Sequence, residues 1–275
     1  MVLDNQAWSM SKLKMLESCS LNFYLSYILK LDPEGEQPDT LERDLGITMH
    51  YLLELMQSGH TIQEAYVLTE QKYRDVVGLD NWSRVIGALP NIRKFNRMMH
   101  DKEEIAGGYL YVEPEKRLAI NRDYEPVDFF SDDVYFRGVI DYTAAHNDKS
   151  IVIDFKKGGA GYLTKYHSPQ LTSYHVLNYF GNEKFKTGES FIYYIESGEL
   201  SRGPTIEGEM IESHSRPWLD NKIETAIRQV QDDGYFKYTR GNACKYCSYN
   251  SMCTEGKRGT SGKLQEFEIQ SKEIL

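Results

Sequence analysis

The first hundred residues carry apolar side chains at helical spacing. Leucine, methionine, isoleucine and aromatic residues recur every three or four positions, with short polar or turn-rich interruptions between the runs. This pattern is typical of amphipathic helices. Four helices are predicted, over residues 9–31, 41–56, 62–77 and 82–99. His50 falls inside the second, next to its apolar stripe.

After residue 105 the apolar positions alternate with polar ones, which is typical of strands. Ser168-Pro169 has the residues of a helix start, and Pro217 opens an amphipathic run ending near Val230. The predicted strands cover 109–120 (with a break at Pro114), 136–142, 151–156 and 190–195.

Two of these strands end in acidic residues. Asp141 closes Phe136–Tyr142, and Asp154 lies two positions before Lys156, so both point to one face of their strand. The polar turn at 146–149 between the strands is typical of a hairpin, which would bring Asp141 close to Asp154. Two carboxylates beside one lysine indicate a divalent-metal site with an adjacent cation.

Composition limits the class of protein. With 275 residues, 40% hydrophobic and 27% charged, the chain can form one large folded domain. It has no apolar run long enough for a bilayer, and its first residues lack signal-peptide character, so we expect a cytoplasmic protein without a membrane partner. A net charge of −9 argues against indiscriminate DNA binding, yet it leaves room for a local basic track.

The four cysteines form one pattern, a single residue near the start and a group near the end. Cys19 stands alone, whereas Cys244, Cys247 and Cys253 follow one another at intervals of three and six residues. A reducing setting disfavours disulfides, so we expect a four-cysteine metal centre, zinc or iron–sulfur, that joins the two ends of the chain. Closing a loop of this length stabilises the fold by roughly 5 kcal/mol in the chain-entropy model.

The order of these motifs resembles the PD-(D/E)XK nuclease superfamily. The residues that carry the resemblance are His50, the Gly138–Asp141 segment, Asp154-Phe155-Lys156, and Gln170 with Tyr174 four positions later. The flanking cysteines are similar to those of its RecB-like iron–sulfur branch, which includes AddB-type nuclease domains and CRISPR-associated iron–sulfur exonucleases.

The resemblance implies a fold and a domain layout. The fold is a restriction-endonuclease-like α/β core, with a central mixed sheet flanked by helices, a helical N-terminal region and an iron–sulfur patch that joins both chain ends. All of it would be one compact domain. Its parts would be the helical region 1–105, the nuclease core 106–200, a C-terminal helix with the cysteines at 201–255, and a tail at 256–275.

The resemblance also implies residue roles. It assigns metal ligation to His50, Asp141, Asp154 and the carbonyl of Phe155, catalysis to Asp141, Asp154, Lys156, Gln170 and Tyr174, and a 4Fe-4S cluster to Cys19, Cys244, Cys247 and Cys253. The divalent ion would be Mg²⁺ or Mn²⁺. An extra carboxylate would come from Glu113 or Glu115. Ser20 departs from the family, which often has proline after the first cysteine.

The implied activity is metal-dependent DNA cleavage with a metal-activated water, exonucleolytic on single strands or free ends, in recombination, repair or replication. A recombination or replication protein would be its partner. Two alternatives stay open: a partner-directed endonuclease or recombination accessory factor, and a non-catalytic metal-bound DNA-binding module. Expected DNA contacts are the loop residues and C-terminal basic residues Tyr162, Lys165, Tyr166, His167, Lys237, Arg240, Lys245, Lys257, Arg258 and Lys263.

Overall fold

A computed structural model describes residues 2–33, 40–106, 111–159, 164–182 and 184–250, with the side chains of 102–106, 111 and 164–166 left out. Cys253 and the 256–275 tail lie outside these ranges. So do Tyr162, Lys257, Arg258 and Lys263, and the side chains of Lys165 and Tyr166.

Helices make up most of the first hundred residues, as predicted, and three more lie further along. Their bounds are α1 (Met10–Ser18), α2 (Ser20–Phe23), α3 (Leu41–Gln57), α4 (Ile62–Val77), α5 (Leu79–Ala106), α6 (Thr164–Gly181), the single turn α7 (Gly208–Met210) and α8 (Arg216–Asp233). Short π-helical turns follow α2 (Tyr24–Ile28) and α7 (Ile211–Ser215), and a 3₁₀ turn covers Asn242–Tyr246.

Five strands form one mixed sheet in the order β1-β2-β3-β4-β5. They are β1 (Tyr111–Ile120), β2 (Phe136–His146), β3 (Lys149–Lys156), β4 (Thr187–Tyr194) and β5 (Glu199–Glu207). β3 and β4 run parallel and are joined through α6, whereas the other neighbours are antiparallel. The expected α/β core with a mixed sheet flanked by helices is confirmed.

Each face of the sheet is covered by its own hydrophobic cluster. The first cluster packs α1, α2, α6 and α8 against residues such as Val152 of β3. The second packs α3, α4 and α5 against residues such as Ile153 and Phe155. Neighbouring side chains of a strand point to opposite faces, so β3 contributes to both clusters in alternation. The sheet is therefore the middle of three layers.

Three local features differ from the expected elements. The first helix breaks at Cys19, whose extended backbone (φ −162°, ψ 101°) separates α1 from α2. β1 runs through Pro114 without ending, although Glu115 adopts a left-handed φ of 47°. The expected helix start at Ser168-Pro169 is wrong: α6 begins at Thr164 and contains Pro169.

The two ends of the chain are joined by hydrogen bonds, one of which is a long contact from Cys19 Sγ to the Lys237 carbonyl at 4.0 Å. The Ser20 hydroxyl donates to the Lys237 carbonyl at 3.1 Å and accepts the Lys237 N–H at 2.6 Å. The Tyr249 hydroxyl donates to the Leu31 carbonyl at 2.8 Å, and the Phe236 ring stacks on Tyr24 at 4.8 Å. Ser20, the departure from the family pattern, is therefore used to close the fold.

Among the helices that the structure describes, none combines the length and apolar character needed to cross a bilayer.

Candidate active site

Asp141 and Asp154 lie where β2 and β3 stop pairing. The backbone register of the two strands runs from His146 opposite Lys149 to Tyr142 opposite Ile153. Continuing it by one step places Asp141 opposite Asp154. There the side chain of Asp141 takes over from the backbone, because its Oδ2 accepts the N–H of Phe155 at 2.6 Å. The predicted hairpin thus does bring the two acidic segments together.

The Asp154 carboxylate is buried and contacts residues from its own strand and from α6. Lys156 Nζ lies 2.6 Å from its Oδ2. Gln170 Nε2 donates to its Oδ1 at 3.1 Å, and the Tyr174 hydroxyl donates to the same oxygen at 3.5 Å. Gln170 Nε2 also donates to the Tyr174 hydroxyl at 2.7 Å. These four predicted residues form one connected polar group.

Beside this group, the side-chain alternation of β2 and β1 shifts, so that alternate residues no longer point to the same face of the sheet. Ile140 of β2 packs in the first cluster, whereas Tyr142 packs in the second, although alternate residues of a regular strand share a face. β1 does the same between Leu118 in the first cluster and Val112 against the second. The positive φ of Glu115 lies between them. Non-glycine residues rarely adopt this conformation, which concentrates at functional sites.

Glu115 is placed opposite Asp141 by the same register, since Pro114 pairs with Tyr142 and Lys116 with Ile140. His50 approaches from α3, with Nδ1 3.7 Å from Asp141 Oδ1. His50, Glu115 and Asp141 each offer one ligand atom, and these atoms all lie within 4.8 Å of one another. Of the two residues expected to supply an additional carboxylate, Glu115 is the one that lies in this set.

Within the described part of the chain, this is the one such set of three histidine, cysteine or acidic residues. Asp154, expected as a metal ligand, lies outside it and contacts Lys156 and Gln170 instead. Phe155 contributes its N–H to Asp141, and ligation through its carbonyl stays a prediction.

The carboxylates of the set hold protons more tightly than usual. Burial raises the pKa of Glu115 to about 7, and the nearby Asp141 and Glu54 add to the rise. Burial also raises the pKa of Asp141 to about 6, with a further increase from Asp154, against the opposing effects of His50 and Lys156. Carboxylates that lie close together and have raised pKa values form a site whose negative charge a bound divalent cation would neutralise.

One residue at this site, Lys14, was missed from the sequence. Lys14 of α1 donates to Gln170 Oε1 at 3.1 Å, and burial, together with the charge of Lys156, lowers its pKa. His167, expected as a strand-contacting residue, is half-buried, and burial and Lys156 lower its pKa as well. The one sequence signal for Lys14 was its charge beside the apolar positions Met10 and Leu13 of α1.

Of the three cysteines that the structure describes, Cys19 and Cys247 pack against the first cluster. Cys19, Cys244 and Cys247 are free thiols that line one small cavity with Leu21, Leu25 and Tyr249. Burial raises the pKa of the Cys247 thiol, and Cys19 and Cys244 add to the rise. Their sulfur atoms are not close enough together to form a set like that of His50, Glu115 and Asp141.

A family model described as the PD-(D/E)XK nuclease superfamily matches residues 7–254. The chain belongs to this superfamily. Membership indicates metal-dependent nuclease activity, a hydrolysis, with DNA as the substrate. The His50–Glu115–Asp141 set is an acidic group that could hold a metal ion.

No curated protein matches the sequence. Among solved structures, the nuclease is similar to the "Crystal structure of SSO0001", with 14% identity over 86% of this chain and 95% of that chain and a TM-score of 0.34. A similarity of this size supports no further conclusion.

Proposed function

We propose that the protein is a metal-dependent deoxyribonuclease of the RecB-like iron–sulfur branch, which removes nucleotides from single strands or free ends during recombination, repair or replication. One observation carries the proposal. The Asp141 carboxylate lies between the His50–Glu115 pair and the backbone of β3, at the point where Asp154 and Lys156 stand side by side.

His50, Glu115 and Asp141 fit a divalent ion. Two carboxylates suit the oxygen preference of Mg²⁺ and Mn²⁺, and Mn²⁺ also accepts an imidazole nitrogen. Asp154, next to this set, would complete the ligands when the ion is bound. A bound ion would supply Lewis-acid stabilisation of the phosphate and lower the pKa of a bound water.

Lys156 supplies the positive charge that phosphodiester hydrolysis needs. Its ammonium is part-exposed, so it reaches both the buried Asp154 and a phosphate in the site. There it would stabilise the charge that develops on the phosphate oxygens. Gln170 and Tyr174 hold Asp154 Oδ1 from the other side, which orients the carboxylate towards Lys156.

The cysteines would hold a 4Fe-4S cluster with a structural role. Three of the four thiols line one cavity, and Cys253 lies outside the described residues. A cubane cluster distributes its thiolates over separate iron atoms, which suits thiols that surround a cavity without touching one another. Its position beside α2 and the 3₁₀ turn would reinforce the junction of Ser20 and Lys237.

The activity is tested on end-labelled linear and on circular single-stranded DNA, with Mg²⁺ or Mn²⁺, for the wild-type protein and the Lys156→Ala variant. We expect digestion of the linear strand from an end, and loss of cleavage with retained DNA binding in the variant. Lys149→Ala is the matched control, because Lys149 is an exposed lysine of the same strand.

Cleavage of the circle would indicate an endonuclease instead. A wild-type protein that binds DNA without cutting it would favour the non-catalytic alternative, and undiminished cleavage by Lys156→Ala would refute the assigned role. The cluster is tested separately by iron content and visible absorption. A colourless protein that contains zinc would contradict it.

A further inference from the structure

A cavity of about 330 Å³ opens next to the active site, between the start of α1, β2 and α6. Gln170 and Tyr174, which hold Asp154, also form part of its wall. Phe129 and Arg137 line the outer part. The cavity therefore shares Gln170 and Tyr174 with the polar group around Lys156, so it is placed to receive a portion of a substrate whose phosphate lies there.

The glycine Gly138 allows close packing at the floor of the cavity. A Cβ added at Gly138 would lie 2.9 Å from Leu177 Cδ1 and 3.7 Å from the Tyr174 ring. The absence of a side chain at this position lets β2 and α6 approach.

Aromatic rings and cations meet at the mouth of the cavity. The rings of Phe129 and Phe130 are 5.2 Å apart, and the Arg137 guanidinium lies 5.0 Å from the first and 5.9 Å from the second. Arg117 lies over Phe129 from another direction at 5.9 Å. Arg137 is fixed by a hydrogen bond from Nη1 to the Phe129 carbonyl at 2.8 Å.

Phe130 is 71% exposed, which is unusual for a side chain of this size. Two arginines, Arg117 and Arg137, lie beside the pair of rings to which it belongs. Exposed rings beside positive charges are the combination with which proteins bind single-stranded nucleic acid: the bases stack on the rings and the backbone phosphates meet the cations.

We propose that Phe129, Phe130, Arg117 and Arg137, together with the adjoining cavity, form a subsite for an unpaired nucleotide that flanks the phosphate to be cut. This subsite rests on the proposed nuclease function and specifies its substrate. Phe130 stacks on a base, and the arginines attract the phosphates. A paired base is already stacked within its duplex, so the subsite favours single strands over duplex DNA.

The test compares binding of two labelled probes in metal-free buffer, where no cleavage occurs. One is an oligothymidylate, and the other is an abasic strand of the same length and charge. For Phe130→Ala, we expect binding of oligothymidylate to weaken about five- to a hundredfold and binding of the abasic strand to stay unchanged. Phe130→Trp should restore the difference. Leu79→Ala, which alters a side chain of similar exposure (68%) on α5, is the control.

Two results would overturn the subsite. One is an unchanged affinity of Phe130→Ala for oligothymidylate, and the other is an equal loss for the abasic strand, for the thymidylate and for a duplex. Both leave the proposed function standing if the wild-type protein cleaves DNA. If the wild-type protein neither binds nor cleaves DNA, the proposed function fails and the subsite fails with it. An unchanged rise in melting temperature with Mn²⁺ would show that Phe130→Ala keeps the metal site.

Discussion

The Asp141 carboxylate accepts a hydrogen bond from the backbone N–H of Phe155 at 2.6 Å, across fourteen positions of the chain. One acidic side chain thereby does two things. It fastens β2 to the end of β3, and it contributes an oxygen to the group formed with His50 and Glu115. A substitution that removes the charge of the Asp141 side chain but keeps its shape should separate these two roles.

Asp141→Asn should abolish cleavage while leaving the fold intact. The amide oxygen still accepts the Phe155 N–H, but it is a weak ligand for a divalent ion. Asp141→Ala loses both and should also lower the free energy of unfolding by about 1–3 kcal/mol, because the N–H loses its partner. Urea denaturation and cleavage assays of both variants test this. Substantial activity in Asp141→Asn would contradict the role of the carboxylate.

Metal affinity should fall as the pH is lowered below about 7. The pKa of Glu115 is raised to about 7 and that of Asp141 to about 6. Protons therefore compete with the ion throughout this range, and binding should release them. Mn²⁺ titration calorimetry at pH 5.5 and 8 measures the change, which we expect to approach tenfold per pH unit for each proton displaced.

The same raised pKa values affect the metal-free protein. Folded-state values above the unfolded ones stabilise the fold below about pH 4.5, and this contribution is lost as the pH rises through 6 to 7. Added Mn²⁺ should therefore raise the melting temperature more at pH 8 than at pH 5.5. Glu115→Gln should show a shallower pH dependence, and an unaltered dependence would count against Glu115 as a ligand.

Lys14 should act by positioning Gln170, to which it donates a hydrogen bond at 3.1 Å. Lys14→Met should lower kcat about ten- to a hundredfold, the range expected for a lost hydrogen bond from a charged donor. Lys14→Arg should recover part of the rate. Mn²⁺ affinity should be unchanged, since Lys14 is outside the His50–Glu115–Asp141 set. A change in Mn²⁺ affinity equal to that in kcat would indicate a general loss of structure instead.

Acidification should destabilise the protein through His175. Burial lowers the pKa of this histidine to about 4, so the folded state holds the neutral ring. In the unfolded chain the ring takes up a proton near pH 6.5. Stability is thus present above pH 6.5 and is lost as the pH falls towards 4, by at most about 3 kcal/mol. The urea midpoints at pH 7 and pH 4.5 should differ more in the wild-type protein than in His175→Gln, which lacks the titrating group. Equal losses of stability in the two proteins would contradict the assignment.

Gly188→Ala should destabilise the sheet. A Cβ there would lie 2.6 Å from His175 Nδ1 and 2.8 Å from the Phe185 ring, both buried, so we expect a loss of about 1–3 kcal/mol in unfolding free energy. Gly46→Ala is the matched control, because nothing lies within 4 Å of its Cβ in the middle of α3. That change should instead stabilise by roughly 1 kcal/mol. Similar effects at both positions would refute the steric argument.

Much of the fold followed from apolar periodicity, since α3, α4, β2 and β3 have regular patterns, although β2 continues to His146, four residues past its predicted end. β5 was not predicted. It contains Gly203 and Pro204 and lies at the edge of the sheet, where proline is tolerated and alternation is weak. The early start of α6 was missed because Ser168-Pro169 is typical of a helix beginning, whereas here Pro169 is accommodated inside the helix.

The residues of the candidate site also fall into those that could be predicted from the sequence and those that could not. Asp141, Asp154 and Lys156 could be placed because a hairpin fixes which residues are opposite each other. Glu115 could not be separated from Glu113, since the choice depends on a positive φ that spacing does not reveal. Lys14 meets Gln170 only through the packing of α1 on α6, a contact between residues 156 positions apart.

The hydrogen bonds between Ser20 and Lys237 have a consequence for synthesis of the chain. The first helices, α1 and α2, form one outer layer with α8, Phe236 and Tyr249, and these last three are synthesised only after the five described strands. Among the described residues, the opposite layer, made by α3 to α5, contains nothing beyond Leu200. We expect that, in a nascent chain that ends before α8, the layer of α3 to α5 is already packed on the sheet. The helices α1 and α2 should then still be accessible to chaperones.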